Sequence, residues 1–288
     1  MPATPFPIAR RASLAAFIIV MLNILGLAPL GHPAIWAQAA GTNPAQSASV
    51  RIGPEGGYLK DRGNSRVLVF VHGFSNQPDS DFRCDNLHNW PEMIAADPDS
   101  SLAATDIYVL GYPSPPRRGK TAVAGLETAI VDRLQSAGVF SRHQEVLFVA
   151  HAMGGLLVQQ IIAANPQADW VHKVRAVFLY GTPQGTGKLA ILGRYIAADP
   201  RLKEMESNGN SFILHPEAPV WTSIPRLCAY ETLSDDGFSA LDYRRNTGGC
   251  IDQLAVHANR SNIAQPCRVD DAAYIFLEDK LRAFFPPN

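Results

Sequence analysis

Neither sign of charge dominates this chain: 25 basic residues face 26 acidic ones, and only 18% of the 288 residues are charged. That balance excludes a polycationic surface for nucleic acid and a highly charged disordered segment. Nucleic acid is therefore not an expected partner. Cysteine is scarce as well, with four residues and no C-x-x-C pair among them, which removes a thiolate metal site. No segment of 20–50 residues recurs, so a solenoid or propeller is excluded. Neither metal nor cofactor is expected.

What is present is a hydrophobic content of 47%, enough for one large core or two small ones. The longest apolar run stands near the N-terminus. Arg10 and Arg11 precede "LAAFIIVMLNILGLAPL", and "AIWAQAAG" offers Ala37 and Ala39 as a small-residue cleavage site. Residues 1–39 read as a cleaved signal peptide, leaving no stable membrane anchor; the rival is an uncleaved span, since Leu14 to Leu30 approaches spanning length. A twin-arginine signal is only weakly supported by "RRASLA". The small, polar residues 40–50 read as a linker. Export implies a secreted or periplasmic protein. Without residues 1–39 the chain holds 23 basic against 26 acidic residues, a formal charge of −3.

In an oxidising compartment the even set Cys84, Cys228, Cys250 and Cys267 favours two disulfides over buried thiols, with three possible connectivities. Cys250 with Cys267 is the expected pair, because both flank one C-terminal loop.

From residue 51 to 288 a single domain is expected. "RVLVFVHGF" (66–74), "DIYVLGYPSPP" (106–116), "EVLFVA" (145–150), "VRAVFLYGTP" (174–183) and "PRLCAYET" (225–232) are short β-rich runs of the kind buried on both faces. Between them, "TAVAGLETAIVDRLQSAG" (121–138) repeats Val123, Leu126, Ile130 and Leu134 at helical spacing, with Gly138 as its stop. "GGLLVQQIIAANP" and the closing "DDAAYIFLEDKLRAFF" are also helical. Strands alternating with helices predict an α/β fold, a mostly parallel sheet with helices on both faces. The stretch from about 184 to 224 is too long for a simple connection and reads as a helical cap insertion, or as peripheral helices without a role at a site.

The chemistry concentrates in "AHAMGG", where a strand runs into a Gly-containing turn and then a helix. A nucleophile elbow, G-x-S-x-G in its common form, has this context: a strained turn lifts one side chain above the sheet. Here Ala150 and Gly154 flank the apex, and the apex is Ala152. Three further segments accompany it in order: "VFVHGFSNQ" (69–77), "LYGTPQGT" (179–186) and "CAYET" (228–232).

Together these resemble the lipase and esterase branch of the α/β-hydrolase fold, in particular a group whose elbow reads "HSMGG", over roughly residues 60–288. The resemblance implies a serine carboxyl-ester hydrolase with a small-molecule ester or acyl ligand. It implies an oxyanion hole from the backbone N–H groups of Phe74 and Met153. It also implies an acid after the penultimate strand, which points to Glu231, with Asp235 and Asp236 as rivals in a turn. His72 and His151 are read as structural, steadying the loop and pointing down into the sheet.

In the implied order of serine, acid and histidine, only His257 follows Glu231. Yet the related ending resembles "NHxxIxKP", and counting back from Pro266 places Arg260 where that histidine stands. Either the loop is rebuilt so that His257 reaches the site, or the base is gone. Ala152 has neither lone pair nor proton to give, so it cannot attack a carbonyl. Ser75 and Thr182 are the nearest hydroxyls, and neither stands at the elbow. The alanine is either a replacement of serine in an active esterase or a natural loss, and Arg260 favours loss. A retained role is binding, with Leu189, Ile191, Leu192 and Tyr195 of the cap either lining a pocket for an acyl or aromatic group or packing the cap. A non-catalytic envelope protein using the fold as a scaffold is a third reading.

Overall fold

The computed structural model describes residues 52–73, 77–113, 122–182, 218–234 and 249–284. The expected signal peptide and linker, Phe74, Ser75, Asp235, Asp236, and the cap residues Leu189, Ile191, Leu192 and Tyr195 lie outside them.

Seven strands form one sheet among these residues: β1 (Gly56–Lys60), β2 (Arg66–Val71), β3 (Thr105–Leu110), β4 (Glu145–His151), β5 (Val174–Tyr180), β6 (Arg226–Glu231) and β7 (Asp252–Val256). Their order is β1-β3-β2-β4-β5-β6-β7, with β1 antiparallel to β3 and every other pair parallel. The helices are α1 (Pro78–Asp81), α2 (Trp90–Ala96), α3 (Ser100–Ala103), α4 (Ala122–Ser136), α5 (Val139–Arg142), α6 (Met153–Ala164) and α7 (Ala272–Phe284). This strand order, with its one antiparallel edge and a sharp turn from the central strand β4 into α6, is the α/β-hydrolase fold.

Side chains alternate across the sheet, so each central strand feeds two cores. Val67, Val69, Val71, Val146, Phe148 and Ala150 pack with Leu126, Ile130 and Leu134 of α4 and with α6. Leu68, Phe70, Leu147 and Val149 pack on the other face with Trp90 and Ile94 of α2 and with Tyr274, Leu277 and Leu281 of α7. Burial on both faces explains why β2 and β4 read as unbroken apolar runs. The expected helix stop is confirmed: α4 ends at Ser136, and Gly138 follows with φ 75°, a left-handed conformation natural to glycine.

The disulfides are Cys84–Cys267 and Cys228–Cys250, which corrects the expected Cys250–Cys267 pair. The reason is β7. Cys250 precedes that strand and Cys267 follows it, so the two lie towards opposite ends of a five-residue strand, about 16 Å long. Parallel pairing instead sets Cys250 beside the start of β6, with Cα atoms of Cys228 and Cys250 6.0 Å apart. Cys267 reaches the segment after α1, where its Cα is 5.3 Å from that of Cys84.

Candidate active site

At the carboxyl end of β4 the chain must turn at once into α6, and the residue that absorbs the turn is Ala152, with φ 47° and ψ −119°. Among the described residues no other non-glycine residue has a positive φ. L-residues avoid this region, at a cost of order ~1–3 kcal/mol, and it persists because the surroundings fix it. The Ala152 N–H donates to the Tyr180 carbonyl (2.8 Å), and the Thr182 hydroxyl donates to the Ala152 carbonyl (3.0 Å). Space at the turn is equally determined. A Cβ on Gly154 would stand 2.3 Å from the His72 carbonyl oxygen, and one on Gly155 would stand 2.2 Å from Thr182 Oγ1. Only glycine fits either place. Ala150, where the common motif has glycine, is fully buried in β4 without conflict.

The elbow's geometry is thus retained around a methyl group. Ala152 is 7% exposed, and its Cβ lies 3.4 Å from where a Cβ on Gly73, just past β2, would be. Met153 opens α6, so its backbone N–H is among those left without an acceptor inside the helix.

Glu231 closes β6 and is buried. Its Oε2 lies 3.6 Å from the point a Cβ on Gly181 would occupy, and Arg260 Cγ lies 3.7 Å from that same point. Gly181 follows Tyr180, whose carbonyl holds the Ala152 N–H. Glu231 and Arg260 therefore converge beside the elbow. Arg260 is also tied there through its main chain, because His151 Nε2 is 2.9 Å from the Arg260 carbonyl oxygen.

His257 stands elsewhere. It follows Val256, which pairs in register with Glu231, and its exposed ring has Nδ1 3.5 Å from Thr232 Oγ1, the residue after Glu231. His257 borders a cavity of about 480 Å³ lined also by Cys84, Cys267 and the start of α7.

Both histidines read as structural are buried. His72 Nδ1 is 2.8 Å from the Gly73 carbonyl, and its ring stacks on Tyr112 with centroids 4.0 Å apart. Burial pushes its pKa down, against the pull of the Gly73 carbonyl and Asp81. His151 instead meets Asp81, a residue that motif reasoning missed. Seventy positions separate the two, and no local pattern marks a buried aspartate at the end of a one-turn helix.

No protein-family model matches the chain, and no curated protein does. Among solved structures it is similar to a lipase-esterase related protein from Clostridium acetobutylicum, at 12% identity and TM-score 0.43, covering 80% of this chain and 100% of that one. It is similar to Est1E from Butyrivibrio proteoclasticus with ferulic acid bound, at 9% identity and TM-score 0.47, covering 77% and 90%. A third is esterase B from Lactobacillus rhamnosis, at 14% identity and TM-score 0.47, covering 78% and 76%. Likeness at this level says nothing of substrate; the fold stands on the strand order and elbow described above.

Proposed function

We propose that this chain is an exported relative of serine carboxyl-ester hydrolases that has lost hydrolysis and retains a site for a small ester- or acyl-bearing ligand. One observation carries the reading: the strained apex that exists to present a nucleophile presents a methyl group, and an arginine converges with Glu231 beside it. A guanidinium stays protonated at any ordinary pH, so it cannot take a proton from a nucleophile or return one to a leaving group. Hydrolysis then lacks both the attacking atom and the base. An oxyanion hole from Phe74 and Met153 would still favour an acyl carbonyl, with Leu189, Ile191, Leu192 and Tyr195 of the cap against the remainder of the ligand.

Two disulfides, and no helix among the described residues long and apolar enough to cross a membrane, are compatible with an extracellular or periplasmic place. The disulfides fit the reading of residues 1–39 as an export signal.

The alternative is an active esterase in which serine stands at position 152, completed by Glu231 and His257. The strain of the turn favours it, since nothing about alanine requires φ 47°. The exposed placement of His257 against Thr232 weighs the other way. The two separate on the chain as it is and on Ala152→Ser. Non-hydrolysing binding predicts that nitrophenyl butyrate and octanoate are turned over by neither protein, while short- and medium-chain fatty acids raise the melting temperature of both. Turnover by Ala152→Ser that disappears on adding His257→Ala would establish the esterase reading instead. Absence of both turnover and ligand shift would leave the scaffold reading.

A further inference from the structure

Beneath the apex, three segments far apart in sequence meet at one side chain. His151 Nδ1 is 2.9 Å from both Asp81 Oδ1 and Oδ2, and Nε2 is 2.9 Å from the Arg260 carbonyl oxygen. Asp81 also accepts the Gly73 N–H at 2.7 Å. A carboxylate and a peptide carbonyl only accept, so a ring nitrogen bonds to either of them only if it carries a proton. With Asp81 ionised, both nitrogens of His151 are protonated, and the ring is an imidazolium paired with Asp81.

We propose that this doubly protonated His151 is a positioning residue, a clasp that holds the loop bearing Arg260 against the elbow and the oxyanion segment. The loop has two other ties to the same place. Gln265 Nε2 donates to the carbonyls of Ser80 (3.2 Å) and Asp81 (3.3 Å), and the Cys84–Cys267 disulfide fixes its far end. The His151 bond is made at Arg260 itself.

The charged groups around the ring agree with this state. Burial alone lowers the pKa of His151, but the charge and hydrogen bond of Asp81 on α1, with the Arg260 carbonyl, outweigh burial and the opposing Arg260 guanidinium, and the net shift is upward. His72, just after β2, has its pKa pushed down by burial. A proton lost from His151 leaves one N–H for two acceptors. The charge-assisted bond to Asp81 is the stronger, so the Arg260 carbonyl would face a bare lone pair and this hold on the loop would be lost. Since the folded pKa lies above the ordinary 6.5, the clasp is complete below that pH and is lost as pH rises through the folded value. This holds whether or not the site takes an acyl ligand.

The experiment uses the full mature chain with 15N-labelled histidine. Long-range proton–nitrogen spectra at pH 7.5 should show a ring with both nitrogens protonated whose signals are absent from His151→Gln. A His151 ring with one bare nitrogen at pH 7, or titrating at or below 6.5, overturns the proposal. Hydrogen exchange, corrected for intrinsic rate, is then followed over residues 257–266. In the unaltered protein opening should rise with the same midpoint as the ring titration. In Asp81→Asn and His151→Gln at pH 7 it should be at least tenfold faster while β4 and α6 amides stay protected. Unchanged exchange over that loop beside a protonated ring would also overturn the clasp. Should His151→Gln fail to fold, the unaltered chain's pH series and Asp81→Asn decide the matter.

Discussion

Replacing Ala152 by glycine tests whether the elbow is strained as its backbone angles state. Glycine adopts φ 47° and ψ −119° without steric conflict, which should recover about 1–3 kcal/mol. Two losses oppose the gain: one buried methyl, worth about 0.8 kcal/mol, and the added freedom of the unfolded chain, about 0.4–1 kcal/mol. The sum lies near zero. Ala150→Gly, two residues back in β4 at ordinary extended angles, suffers the same losses with no strain to release, and should cost about 1.2–1.8 kcal/mol. The difference between the two variants isolates the strain, and at about 2–4 °C per kcal/mol it corresponds to roughly 2–12 °C in melting temperature. Urea titrations of both variants, with the slope checked for constancy, measure it. Equal destabilisation by the two replacements would show that Ala152 stores no strain.

Gly154→Ala should destabilise by about 1–3 kcal/mol or more, because its Cβ would meet backbone oxygens of His72 and Val71 that cannot move aside; the urea midpoint reads this directly. Removing Cys84–Cys267, which closes 183 residues, should cost more than removing Cys228–Cys250, which closes 22, about 5 against about 3 kcal/mol by loop entropy, as paired Cys→Ser variants would reveal. Asp106, in β3, is buried; burial raises its pKa, but the N–H groups of Arg62 and Asn64, His143 and the Asn64 side chain more than offset that and hold it low. Its contribution is present above about pH 4 and lost as pH falls through the folded value, so Asp106→Asn should flatten the acid limb of a stability–pH curve.

The strands and helices that position the elbow were legible because burial on both faces writes an unbroken apolar run, as in Val67–Val71 and Val146–Ala150. β1 and β7 were not. Gly56–Lys60 opens on two glycines at an edge, and Asp252–Val256 is only partly buried, so neither carries that run. α2 was hidden by Pro91 in its first turn, which reads as a break although it fits there. The apex could be read from motif, and the place of Glu231 at the end of a strand from chain order. The choice between His257 and Arg260 could not, since it depends on how β7 registers against β6 and where the following loop turns back. Cysteine pairing failed for the same reason, because flanking one loop in sequence put Cys250 and Cys267 towards opposite ends of a strand.

Covalent labelling by a fluorescent alkylphosphonate bears most directly on the claim that both the nucleophile and the base are absent. Ala152→Ser restores only the first, and Ala152→Ser with Arg260→His restores both beside Glu231. The account predicts no label on the unaltered chain, at most trace label on the single variant, and labelling of the double variant faster by at least ~10³-fold, abolished by Glu231→Gln. Rapid labelling of the unaltered chain, or of Ala152→Ser with Arg260 in place, would contradict it.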